Sequence, residues 1–142
     1  DFVDEFQIDF PDLIVMETGG MKGRREELIR EEVHEILKRG FGVKNIHSEY
    51  GMTELLSQGY SQGNGIFRCG YTMKLFTRDI NDPLTVTNQV RSGGINIIDL
   101  ANVHSCAFIE TKDLGKVYSD GTFEVLGRID NSDVRGCNLM VG

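Results

Sequence analysis

Glu49-Tyr50-Gly51-Met52-Thr53-Glu54 sets an aromatic ring, a glycine, a hydroxyl and a carboxylate within six residues. Such a run suits a nucleotide. The ring offers a face to a base, the glycine lets the backbone approach a ligand closely, and the Thr53 hydroxyl can donate to a phosphate oxygen. Glu54 can hold Mg²⁺, a hard cation that takes oxygen ligands and stays on substrate phosphates. The same six residues also read as a turn entering a short helix, with Thr53 as its cap and Glu54 complementing the dipole.

The flanking sequence places this run at the end of a strand. Residues 13–16, Leu13-Ile14-Val15-Met16, form an apolar stretch before Thr18-Gly19-Gly20, as expected for a buried strand delivering a loop. Residues 24–39 read as a helix with Leu28, Ile29, Val33, Ile36 and Leu37 on one stripe and a stop at Gly40. Its other face pairs Glu26 with Arg30 and Glu35 with Arg39, a solvated charged surface. Residues 43–48 then form a second strand. A strand–helix–strand unit that ends in Tyr50 puts the motif where open α/β sheets bind ligands.

Beyond the motif, residues 57–65 are polar and glycine-rich and read as a surface loop. From Ile66 onward, residues 71–77, 84–87, 94–100, 105–111 and 123–126 read as strands. They are separated by turns at Asn81-Asp82-Pro83, Ser92-Gly93-Gly94, Asp113-Leu114-Gly115 and Ser119-Asp120-Gly121. The expectation is a single α/β domain: an α/β unit over residues 1–56, an antiparallel, barrel-like β region over 66–130, and a tail over 131–142.

The chain has 142 residues, 39% hydrophobic, enough for one core. It carries a formal charge of -7, with Asp1, Asp4, Glu5, Asp9 and Asp12 clustered at the start and no Lys/Arg-rich run, which disfavours nucleic-acid binding. No apolar run approaches the length of a membrane span and no signal segment opens the chain, so a cytoplasmic setting is the default expectation. Cys69, Cys106 and Cys137 form neither a Cys-x-x-Cys pair nor a disulfide framework. His34, His47 and His104 lack ligand spacing.

Three further segments give the hexapeptide company: Thr18-Gly19-Gly20 upstream, Ile95-Asn96-Ile97-Ile98-Asp99-Leu100, and Phe123-Glu124-Val125-Leu126-Gly127-Arg128-Ile129-Asp130. Their order resembles that of the adenylate-forming enzymes, the superfamily of acyl-CoA synthetases that activate carboxylates as acyl-adenylates. There a Tyr-Gly-x-Thr-Glu segment precedes an aspartate that holds the ribose and then a Gly-Arg-x-Asp hinge. The resemblance implies the large-domain fold, with ATP and Mg²⁺ as cofactors. Tyr50 and Gly51 would lie at adenine, Thr53 at the α-phosphate, Glu54 at the metal, Gly19 and Gly20 between adenine and acyl pocket, Asp99 at ribose and Arg128 at ribose or phosphate. The usual pattern before the ribose aspartate is Thr-Gly-Asp, whereas here Ile97-Ile98 precede Asp99, and a strand-end acid facing water reads as well. A turn with an ion pair is the alternative for Arg128 and Asp130, but the recurrence of Gly127, Arg128 and Asp130 as a unit in that order favours the functional reading of Arg128.

The C-terminal run from Asp130 to Gly142 narrows the resemblance to the acyl-protein synthetase family of the bacterial luminescence fatty acid reductase system. Members transfer a fatty acyl group onto a cysteine near their C-terminus. Cys137 stands in a comparable place, and Arg135 beside it could stabilise a thiolate. Cys69 and Cys106 sit in apolar, strand-like contexts and read as inert small hydrophobes. The implied activity is ATP-dependent acyl-protein thioester formation, with a carboxylic acid as substrate and an acyl-reductase or acyl-acceptor protein as partner. The rival readings are an acyl-CoA ligase of the phenylacetate type and a noncatalytic nucleotide- or partner-binding domain. The lack of a counterpart to the superfamily's C-terminal lysine agrees with the acyl-protein synthetases, which the resemblance implies end near the hinge. The lack of a Ser/Thr/Gly-rich phosphate loop makes this chain the expected C-terminal part of a longer enzyme, inactive alone.

Overall fold

A computed structural model describes Glu5 and residues 12–19, 30–82, 84–87 and 92–129. Leu28, Ile29, Glu26, Gly20, Pro83, Asp130 and Cys137 lie outside the described residues.

The helix α1 spans Arg30–Phe41, with Glu31 and Glu32 in its first turn and Lys38 and Arg39 in its last, both placements favourable to the helix dipole. It ends two residues later than the glycine pattern suggests. Gly40 is buried within the helix, and Gly42, at φ 66°, makes the left-handed turn that releases the chain. The charged face also differs from expectation. Lys38, not Arg39, pairs with Glu35 at 2.9 Å, and Arg30 turns inward to Glu17 and over the Phe67 ring.

Around α1 lie β1 (Val15–Glu17) and β2 (Ile46–Tyr50), which pair in parallel with Glu17 opposite Ser48. The chain then turns back into β3 (Gly59–Ser61) and β4 (Phe67–Cys69), followed by β5 (Met73–Arg78), β6 (Val86–Thr87), β7 (Ser92–Asp99), β8 (Phe108–Val117) and β9 (Phe123–Arg128). The order across the sheet is β1-β2-β3-β4-β9-β8-β7-β5-β6. Every pair except β1·β2 is antiparallel. The expected mixed fold is present, and the described strands form an open sheet with β1 and β6 at its ends rather than a closed barrel.

Four local readings are corrected. Residues 57–65 are not a surface loop: they contribute β3, with Ser57 and Ser61 buried. Asp113-Leu114-Gly115 lies inside β8, at an irregularity in its pairing with β9. Ser92-Gly93-Gly94 opens β7, where a Cβ on Gly94 would come within 2.5 Å of the Arg78 guanidinium carbon. That guanidinium is buried and spends its donors on the Ile95 and Thr111 carbonyls, the Asn96 side chain and Glu110. Finally, β1 ends the sheet among the described strands, and Leu13, Ile14 and Met16 are exposed rather than buried.

The core gathers Tyr50, Leu55, Phe67, Met73, Leu75, Ile95, Ile97 and Phe123. Phe67 and Phe123 stack with ring centroids 5.3 Å apart, and Tyr50 meets Phe123 edge-on at 5.4 Å. The Phe123 ring lies directly over Gly59, the residue paired with Tyr50 across β2 and β3. An added Cβ at Gly59 would sit 2.7 Å from Phe123 Cζ, so the aromatic cluster requires glycine there. Gly59→Ala is expected to destabilise the protein by about 1–3 kcal/mol in denaturant unfolding, the usual cost of overpacking; an unchanged midpoint would mean that the ring has room to move.

Candidate functional site

The parallel strands β1 and β2 both end at the same edge of the α/β unit. Two residues beyond β1, Gly19 takes φ 90°, a conformation glycine tolerates, and its N–H donates to Glu17 Oε2 at 2.7 Å. Glu17 Oε1 faces Arg30 Nε at 3.4 Å and His34 Nε2 at 3.6 Å. One carboxylate thus joins the Gly19 turn to α1. His34 is buried and also lies 3.5 Å from the Ser48 hydroxyl on β2.

At the end of β2, residues 52–55 form a turn closed by the Leu55 N–H donating to the Met52 carbonyl at 3.0 Å. Gly51, Thr53 and Glu54 are exposed there. Among the described residues, neither the Thr53 hydroxyl nor the Glu54 carboxylate has a hydrogen-bond partner, and both residues are exposed at a tip. Among the described residues no group of three or more His, Cys, Asp or Glu side chains converges to hold a metal. A single exposed carboxylate fits Mg²⁺ of the kind that keeps its waters and substrate phosphates.

Tyr50 does not offer an open face to a base. Its ring is 8% exposed and belongs to the core cluster, and its hydroxyl donates to Asp113 Oδ2 at 2.8 Å. Burial, followed by the charge and hydrogen bond of Asp113, pushes its pKa above the ordinary tyrosine range, so Tyr50 is a permanent donor. The other oxygen, Asp113 Oδ1, faces Arg128 Nε at 3.5 Å. The Arg128 side chain is 71% exposed and the Asp113 side chain 16%. Tyr50, Asp113 and Arg128 thus meet, although 63 residues separate the first two.

Asp99 is neither a water-facing acid nor free for ribose. It has no exposed surface, and its carboxylate is filled by internal donors. Oδ2 accepts from the Leu56 N–H at 2.8 Å and the Ser57 N–H at 2.9 Å. Oδ1 accepts from the Ser57 hydroxyl at 2.6 Å and the Ala101 N–H at 3.1 Å. Burial alone would raise its pKa; the Ser57, Leu56 and Ala101 donors outweigh it and hold the carboxyl below its ordinary value.

Asp113, which the sequence analysis reads only as part of a turn, is the carboxylate that joins Tyr50 to Arg128. Thr111-Lys112-Asp113 repeats the Thr-x-Asp spacing of the superfamily pattern with lysine in place of glycine, and it precedes Arg128. The signal was present but masked by the turn-like composition of Asp113-Leu114-Gly115. Cys69 is partly buried, and burial pushes its thiol up to about 11, which agrees with an inert role. Cys106 departs from its expected strand: it is exposed, ahead of β8.

No family model matches the sequence, and comparison with curated proteins finds no relative. Solved structures do match. MatB from Rhodopseudomonas palustris aligns over 81% of this chain and 25% of its own, with a TM-score of 0.56 and 15% identity. O-succinylbenzoate coenzyme A synthetase (MenE) from Bacillus subtilis, in complex with AMP, aligns over 92% of this chain and 29% of its own, with a TM-score of 0.53 and 22% identity. Over the aligned part, this chain shares the fold of these two enzymes. The luciferase-like enzyme of the mealworm Zophobas morio gives a TM-score of 0.50 over 75% of this chain and 30% of its own, at 17% identity. The chain spans between 25% and 30% of the length of these three structures. Among the described residues no helix is long and apolar enough to cross a membrane.

Because its pKa is depressed in the fold, Asp99 contributes stability above the unfolded-state value and loses it as pH falls through the folded value. Asp99→Asn is expected to melt below the wild type at pH 7, with the gap narrowing as pH drops below about 4. A gap independent of pH would show that the carboxylate charge contributes nothing to the fold.

Proposed function

We propose that this chain forms the nucleotide-facing part of an enzyme that activates a carboxylic acid with ATP and passes the acyl group to a thiol, with Cys137 as that thiol. The meeting of Tyr50, Asp113 and Arg128 carries this reading. A partly exposed carboxylate, fixed on one side by a buried phenol and flanked by an exposed guanidinium, suits a ribose diol beside a phosphate.

In this reading Asp113 replaces Asp99 as the ribose residue, and Tyr50 orients Asp113 instead of stacking on adenine. Thr53 donates to the α-phosphate from the turn tip, Glu54 holds Mg²⁺, and Gly19 and Gly20 line the passage to the acyl pocket. Mg²⁺ would neutralise phosphate charge as pyrophosphate departs. The substrate carboxylate oxygen attacks the α-phosphorus and the bond to pyrophosphate breaks. The Cys137 thiolate then attacks the acyl carbonyl and AMP leaves, with Arg135 favouring the thiolate. A fatty acid is the substrate that the family resemblance suggests, and an acyl-reductase the downstream partner.

Intact-mass analysis of the full-length protein with ATP, Mg²⁺ and a panel of carboxylic acids tests this. The expected result is a gain of one acyl group, lost with hydroxylamine and absent in Cys137→Ala. AMP formation only with coenzyme A would replace the protein thiol by that acceptor, and neither product would leave a binding domain. Asp113→Ala is expected to raise KM for ATP by about 10- to 100-fold, the worth of hydrogen bonds to a charged group. An unchanged KM would remove Asp113 from the ribose.

A further inference from the structure

We infer that Asp99 and Asn102 are positioning residues that latch the Thr53-Glu54 turn in its working place. The functional part of this inference rests on the proposed adenylate-forming reading. The turn has one internal backbone bond, Leu55 N–H to the Met52 carbonyl, and its tip is exposed. Something outside the turn must therefore fix it.

A short 3₁₀ turn, Leu100–Asn102, follows β7, and Asp99 is its N-cap. The side chains of its N-cap and of its last residue reach the same segment. Asn102 Nδ2 donates to the Glu54 carbonyl at 2.7 Å, and Asp99 takes the Leu56 and Ser57 N–H groups. The latch is itself anchored. Leu100 N–H donates to the Thr72 carbonyl at 2.8 Å, and the Ser57 hydroxyl lies 2.8 Å from that of Thr72. Asp99 and Asn102 are both buried, which limits the access of water from their side of these bonds. The backbone of Glu54 is thus held on one side by Asn102 and, two residues later, by Asp99. The side chains of Thr53 and Glu54 are left free to meet a ligand. Neither latch residue faces that ligand, so the pair acts on turnover by placing others.

The test uses the full-length protein and two variants, Asn102→Ala, which removes a single bond, and Asp99→Asn, which removes the charge. Amide hydrogen exchange over residues 53–57 is expected to accelerate about tenfold or more in both, with the β5 and β7 amides unchanged in Asn102→Ala. Acid-dependent exchange of pyrophosphate into ATP is expected to lose about 10- to 100-fold in kcat, with KM for ATP within about threefold, as misplacement of a reacting group does. Unaltered amide exchange at 53–57 in both variants would overturn the latch. So would a raised KM with kcat intact, which would make Asp99 a ligand contact. If the wild type exchanges no pyrophosphate with any acid, the adenylate reading fails instead, and amide exchange alone decides the latch.

Discussion

A carboxylate with no solvent contact must find donors inside the protein or lose its charge, and Asp99 finds four. Three are backbone N–H groups and one is a hydroxyl. They come from the segment after the Tyr50 motif and from the 3₁₀ turn after β7, regions more than forty residues apart in sequence. The demand of one buried charge therefore joins the α/β unit to the antiparallel sheet. Burial raises the cost of breaking any single bond, so the site either forms completely or opens at considerable expense.

The aromatic cluster makes the second join. Phe123 lies over Gly59 and stacks on Phe67, and Tyr50 leans on both rings, which carries the Tyr50 hydroxyl to Asp113. This arrangement uses an aromatic at the motif position for its polar end as much as for its surface. With its phenol fixed in the core, Tyr50 holds Asp113 at the rim, where a carboxylate can meet both solvent and Arg128. Asp99 and Asp113 are thus two aspartates with opposite environments: one saturated and internal, the other oriented and partly open. The environment, and not residue type, separates a latch from a candidate ligand.

Much of the fold was legible in the sequence because hydrophobic pattern and chain punctuation agreed. The β1–α1–β2 order, the antiparallel second half and the turn at Ser119-Asp120-Gly121 all follow from local composition, and the Tyr118 carbonyl accepts from the Gly121 N–H at 3.0 Å as such a turn requires. Glycine defeated the reading elsewhere. Gly93 and Gly94 are strand residues that make room for Arg78, and Gly59 makes room for Phe123, yet each looks like a breaker when its tertiary neighbour is unseen. The site was half legible for a similar reason. Thr53, Glu54 and Arg128, singled out by their motifs, are exposed and clear of the core. Setting Asp99 aside requires knowing that its carboxylate is already filled, a fact held by Leu56, Ser57 and Ala101 and by no local sequence.

The most direct measurement is a crystal structure of the full-length protein with AMP. The expected result has the ribose hydroxyls on the Asp113 carboxylate, Arg128 drawn toward the nucleotide, and Asp99 still bonded to the Leu56 and Ser57 N–H groups. Ribose on Asp99, with those two N–H groups released, would contradict it.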